Sequence, residues 1–97
     1  MSYGRAAVRY AKSLIEISLE QGNLEAIKTD MELIHVTCAD SRELVNLLDS
    51  PVVNRDKKLS VLNAVFGAHV SELTKKFIAL LTDKGREALL DQVSAAF

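Results

Sequence analysis

From Leu24 through Ile27, Met31 and Ile34 to Cys38, apolar side chains recur at spacings of three and four. That repeat lays one stripe down the face of an α-helix. It returns along nearly the whole chain and predicts six helices. The first covers residues 5–21 and stops at Gly22, since glycine takes the left-handed conformation that ends a helix without steric cost. Asn23 is placed to cap the second, which runs to about residue 39. Ser41 caps a short third helix carrying Leu44, Leu47 and Leu48; it stops before Pro51, because the residue preceding proline is pushed out of helical geometry. Asn54 opens a fourth, with Leu59, Leu62, Val65 and Phe66 inward and Gly67 at its end. Ser71 opens a fifth, with Leu73, Phe77, Leu80 and Leu81 inward. Gly85 closes that helix and opens a sixth, on which Leu89, Leu90, Val93 and Phe97 form the last stripe. Short helices joined by short turns predict an all-α fold, a six-helix bundle with antiparallel or orthogonal packing, in one domain over residues 1–97.

The first helix is apolar over more of its surface than one contact face needs. At about 100° per residue, Ala7, Ala11, Leu14, Ile15 and Ser18 share a core-facing arc. Ala6, Tyr10, Ser13 and Ile17 form a neighbouring strip, and the two together cover roughly two thirds of the helix. The fifth helix shows a milder form, with Val70, Leu73, Phe77 and Leu81 central and Lys76 and Leu80 on the flank. If the two flanks adjoin, they make a groove able to receive an amphipathic helix from a partner, Ser13 permitting close approach. The competing reading places the first helix at the centre of the bundle, covered on all sides by its own chain.

Composition narrows the function. Hydrophobic residues are 48% and charged residues 26% of the chain, too apolar for disorder. The net charge of -1 comes from 12 basic and 13 acidic residues spread along the chain, so no field of one sign recruits nucleic acid or an anionic membrane. No apolar run approaches the roughly 20 residues of a bilayer span, and Met1-Ser2-Tyr3-Gly4-Arg5 has neither a signal-peptide core nor a transit-peptide composition. Direct membrane insertion is not expected. Cys38, the single cysteine, reads as a small core residue, which suits a reducing compartment.

Catalytic chemistry finds no constellation. His35 and His69 lack partners at metal-ligand spacing. Ser13, Ser18, Ser60 and Ser71 have no nucleophile-elbow context, and four isolated glycines make no phosphate loop. No catalytic residue, metal or cofactor is expected. The run Arg55-Asp56-Lys57-Lys58 reads as the solvated first turn of a helix. With Asn63 it is also the one stretch that could serve as a DNA recognition helix, the alternative to a protein-binding adapter.

Three stretches carry a resemblance: Arg9-Tyr10-Ala11-Lys12-Ser13-Leu14, then Ser50-Pro51, then Leu80-Leu81-Thr82-Asp83-Lys84-Gly85-Arg86 before the Leu89, Val93, Phe97 stripe. Their order and separation resemble the N-terminal domain of the ATP synthase delta subunit family, which includes the mitochondrial oligomycin-sensitivity-conferring protein. The resemblance covers essentially the whole chain and implies a non-catalytic stator component on the cytoplasmic face of the bacterial inner membrane. It implies that the N-terminal helix of an alpha subunit is gripped between helices 1 and 5, holding the catalytic head against rotation. Carried onto this sequence, the contact residues are Ala6, Tyr10, Ser13, Ile17, Lys76 and Leu80. The family continues into a C-terminal portion that meets the b subunit of the peripheral stalk, so the chain is expected to be the alpha-binding part without it. Gly85-Arg86 is assigned to structure, the arginine being available to nearby carbonyls or carboxylates.

Overall fold

A computed structural model describes residues 4–97; Met1, Ser2 and Tyr3, part of the stretch read above as lacking a leader, lie outside the described residues. Six α-helices follow in order: α1 (Arg5–Gln21), α2 (Leu24–Asp40), α3 (Arg42–Asp49), α4 (Arg55–Phe66), α5 (Glu72–Asp83) and α6 (Leu90–Ala96), the last preceded by a 3-10 turn, Glu87–Leu89. No strand occurs among the described residues. The expected all-α, six-helix architecture is what the chain adopts. α6 packs on both α1 and α2, α4 packs on α5, and the two groups are bridged by contacts of α2 with α5 and of α3 with the 3-10 turn.

One cluster of buried side chains runs through both groups. Ala7, Ala11 and Leu14 of α1 meet Ile27, Met31, Ile34 and Cys38 of α2, Leu62 and Phe66 of α4, Ile78 and Leu81 of α5, and Leu90 and Val93 of α6. Each large side chain taken wholly out of water here stabilises the fold by roughly 1.5–3 kcal/mol before chain entropy is counted. Several inward expectations need adjustment. Ile15, Leu59 and Leu73 are only half-buried, Val65 is 37% exposed and Leu80 is 45% exposed.

The helix ends show which local signals act. Gly22 and Gly85 both have φ 71, a left-handed geometry that a side chain strains. At Gly22 the amide reaches Leu19 O and the next amide, of Asn23, reaches Ser18 O, closing α1 as a Schellman motif. Gly85 closes α5 the same way, with Arg86 N on Leu81 O. Ser41 and Asn54 cap as expected, accepting from Leu44 N at 3.2 Å and Lys57 N at 2.8 Å. Asn23 and Ser71 occupy cap positions without a side-chain cap bond. Asn23 is already committed to closing α1, and its ψ of 26 differs from the 164 of Asn54 that aims a side chain at the helix amides.

Ser71 is diverted by a buried carboxylate. Asp30, on α2 and 6% exposed, accepts from Ser71 N at 3.0 Å, Ser71 Oγ at 2.7 Å and Thr74 Oγ1 at 2.7 Å. It thus anchors the N-terminal end of α5, where helix amides and the macrodipole favour negative charge. The other end of α5 is held by Arg55, whose guanidinium donates to Asp83 O at 2.7 Å. A Cβ added at Gly85 would sit 3.1 Å from that same guanidinium.

Lys58 corrects the reading of its segment as a solvated turn. It is 6% exposed, donates to Leu48 O at 2.9 Å and stands 3.8 Å from Glu87 Oε2. An ammonium can be buried there because the Leu48 carbonyl at the C-terminal end of α3 and the Glu87 carboxylate converge on it.

Candidate functional site on helix α1

The second strip of α1 is only partly covered by its own chain. Ala7, Ala11, Leu14 and Ser18 are buried, whereas Ala6 and Tyr10 are half-buried and Ser13 and Ile17 exposed. The burial pattern therefore argues against α1 as the central helix of the bundle. Ser18, the polar member of the inner arc, turns its hydroxyl to Leu14 O, which satisfies it without a neighbour.

Tyr10 is where α1 meets α5. Its ring packs edge-on against Phe77, with centroids 6.0 Å apart and planes at 66°, a favoured aromatic geometry. Arg86, just past α5, donates to the Tyr10 hydroxyl at 2.6 Å and lies 5.9 Å from the ring centroid. Arg86 thus meets a phenol 76 residues away where a carbonyl or carboxylate was expected. Beside Tyr10 opens a pocket of about 190 Å³ lined by Ala6, Arg9, Tyr10, Ser13 and Arg86.

The structure brings together Ala6, Tyr10 and Ser13 and sets the others apart. Ile17 lies one turn beyond Ser13 and is 40% exposed. Lys76 and Leu80 are exposed on α5 and do not line the pocket. Counting about 100° per residue from Phe77, they fall on the opposite side from Thr74, which is tied to α2 through Asp30. Arg9 and Arg86 were not singled out as site residues. Arg9 carried a usable signal, being three residues after Ala6 and four before Ser13, within the same strip. Arg86 carried none, because its approach to Tyr10 depends on the turn at Gly85.

Other features offer less. A larger hollow, about 470 Å³, lies among α1, α2 and α6 near Ile15, Met31, His35 and Phe97, but Glu25, Lys28 and Glu32 on its rim give it mixed charge with no convergent set of donors or acceptors. Burial pushes the Cys38 thiol up from 9.0 to about 11, with the Asp91 carboxylate adding to the shift; it is an inert core group. Among the described residues no cluster of His, Cys, Asp and Glu could hold a metal ion, and no helix is long and apolar enough to cross a membrane. The DNA-recognition alternative loses two of its residues: Lys58 faces inward and Arg55 is occupied with Asp83.

Comparison with known proteins identifies the family. The family model for the ATP synthase delta (OSCP) subunit matches residues 6–97. ATP synthase subunit delta of Cytophaga hutchinsonii is 39% identical over 97 residues, covering 100% of this chain and 53% of the relative. That of Chlorobaculum tepidum is 40% identical over 97 residues, with 100% and 54% covered. The chloroplastic subunit delta of Ochrosphaera neapolitana is 32% identical over 97 residues, with 100% and 54% covered. The chain spans about half the length of the curated relatives it matches. By the match along residues 6–97 and these relatives, the chain belongs to the ATP synthase delta (OSCP) subunit family.

Proposed function

We propose that this chain is the helical, alpha-binding domain of a peripheral-stalk subunit, and that it holds the N-terminal helix of an alpha subunit against α1 and α5. The observation that carries the reading is the incompletely covered strip of α1, with Ala6 and Tyr10 half-buried and Ser13 and Ile17 exposed, next to an α5 wall joined to it through Tyr10 and Phe77. A guest helix covers the strip and buries the apolar flank that includes Leu80, with Lys76 at the rim. Small residues at positions 6 and 13 let its backbone come close.

The role is mechanical. A subunit that grips the catalytic head on one side and the stalk on the other stops the head from turning with the rotor, so that torque deforms the nucleotide sites. Contact with the b subunit falls to the half of the relatives' length that this chain does not span. The place of action is the cytoplasmic face of the bacterial inner membrane, reached through the complex without insertion of this chain.

The test is calorimetric titration with a synthetic peptide of the first twenty or so residues of the cognate alpha subunit. One-to-one saturable binding, with chemical-shift changes at Tyr10, Ser13 and the exposed face of α5, is expected. A folded chain that gives neither heat nor shift changes removes the groove assignment.

A further inference from the structure

We infer that the pocket beside Tyr10 is a receptor for one carboxylate on the docked helix, an aspartate or glutamate reaching between Arg9 and Arg86. The inference rests on the docked-helix reading and adds the chemistry that sets the helix in place. Every polar side chain lining the pocket can donate. The Arg9 guanidinium makes no side-chain hydrogen bond with the described residues and Arg86 makes one, to Tyr10. The Tyr10 hydroxyl accepts that bond, leaving its own proton free to donate outward, and Ser13 Oγ has no partner among the described residues. Four donor groups meet there, two of them permanently cationic, and the Arg86 bond to Tyr10 is the one side-chain hydrogen bond they make among the described residues.

No acid of the chain answers these charges. The ion pairs among the described residues are His35 with Asp91, Lys58 with Glu87 and Lys75 with Glu72; none includes Arg9 or Arg86. Met1, Ser2 and Tyr3 contain no carboxylate either. α1 itself has Arg5, Arg9 and Lys12 in its first half and its acids, Glu16 and Glu20, only in the second. An acceptor-only anion is the complement of such a donor set, and a guanidinium fork matches a carboxylate in shape and charge. At about 190 Å³ the pocket has room for the whole side chain of an aspartate or glutamate. It opens onto the strip Ala6, Tyr10, Ser13, so the carboxylate is placed on a helix whose neighbouring turns are apolar. The contact fixes register, because sliding the guest by one turn withdraws the carboxylate from both arginines.

The experiment uses this chain and the alpha N-terminal peptide, with each aspartate or glutamate of the peptide changed singly to its amide. One amide variant is expected to bind about ten- to a hundred-fold more weakly than the parent peptide, the loss typical of a charge-assisted hydrogen-bond pair. Arg86→Gln and Arg9→Gln each lower affinity for the parent peptide. Combined with the sensitive amide variant they add little further loss, the signature of a shared contact. Arg9 makes no fold contact through its guanidinium, so Arg9→Gln keeps the test valid if Arg86→Gln disturbs the Tyr10 contact. Arg86→Lys, which keeps charge and loses the fork, falls between. If the parent peptide binds and no amide variant or arginine variant changes its affinity, the carboxylate receptor is wrong and the apolar groove stands. If the parent peptide does not bind, the docked-helix reading fails and the receptor with it.

Discussion

Replacing Asp30 by alanine tests whether a carboxylate on α2 anchors α5, the wall of the proposed groove. Asp30 is 6% exposed and accepts from Ser71 N, Ser71 Oγ and Thr74 Oγ1 at 3.0, 2.7 and 2.7 Å. The substitution leaves the Thr74 hydroxyl, at 0% exposure, and the Ser71 amide without their acceptor. An orphaned buried donor costs about 1–3 kcal/mol. Loss of the anion at a helix N-terminus adds about 0.5–1 kcal/mol. The Ser71 hydroxyl is half-buried and recovers with water. For the two donors and the anion together the sum is about 2.5–7 kcal/mol, less whatever is regained by no longer burying a charge, so about 3 kcal/mol is expected. Against a total of about 5–15 kcal/mol for a chain this size, the melting temperature drops by roughly 12 °C or more. Urea and thermal unfolding followed by helical circular dichroism measure it, and amide hydrogen exchange should lose protection first at the start of α5. A cycle with Thr74→Val isolates the shared bond, with coupling of about 1–2 kcal/mol. A loss below about 1 kcal/mol for Asp30→Ala, or additivity of the two substitutions, refutes the anchoring argument.

Lys58→Ala is expected to cost about 3–5 kcal/mol, because it strands the Glu87 carboxylate in the interior, whereas Lys58→Met with Glu87→Leu recovers most of that loss in the same urea titration. Cys38, raised to about 11, is expected to resist a thiol reagent at pH 8, where its thiolate fraction falls from about one in ten to about one in a thousand; rapid labelling of the folded chain contradicts its burial. Since its folded pKa lies above the unfolded one, the Cys38 contribution to stability is present below pH 9.0 and is lost as pH rises towards about 11, which unfolding midpoints at pH 8 and pH 10.5 compare. Ser13→Asp, on an exposed position of α1, is expected to leave the melting temperature nearly unchanged and to weaken alpha-peptide binding at least about tenfold, by desolvating a carboxylate against the guest and by occupying Arg9; unchanged affinity argues that the guest lies elsewhere.

The helices were legible because each carries its own signal within a few residues. The stripe from Leu24 to Cys38 predicts α2, the pairs Ser41 with Leu44 and Asn54 with Lys57 begin α3 and α4, and Gly22 and Gly85 end α1 and α5. The excess strip on α1 was legible for the same reason: Ala6, Tyr10, Ser13 and Ile17 repeat with the helix, and more of that surface was apolar than one face requires. Side chains that answer a distant partner were not. Asp30 lies at the edge of the α2 stripe, three residues after Ile27 and four before Ile34, but nothing local names its partners, which lie 41 and 44 residues away. Lys58 reads as solvated because Asp56 and Lys57 around it are, while the groups that bury it come from α3 and the 3-10 turn. Asn23 and Ser71 are cap residues by type, and a second demand on each, closing α1 in one case and meeting Asp30 in the other, overrides the local preference.

These distant polar contacts bear on how a groove stays open. Two adjacent helices with apolar flanks ordinarily close on each other, since burying both surfaces is favourable. α5 is held instead at its ends, by Asp30 at Ser71 and Thr74 and by Arg55 at Asp83, and its inner side is filled by Ile78 and Leu81 in the core. Its approach to α1 is through Tyr10, which stands between the helices with its ring edge-on against Phe77 and Arg86 on its hydroxyl. Tyr10 then acts as a spacer as well as a contact. Shortening it to alanine should let the flanks collapse or leave a void, weakening guest binding beyond the loss of its own ring surface. Tyr10→Phe keeps the spacer and removes the hydroxyl that holds Arg86, so it should lose only the share of the affinity that this hydroxyl and its arginine contribute, and less than Tyr10→Ala loses. Equal losses for the two variants mean that the hydroxyl and its arginine, and not the width of the gap, govern the site.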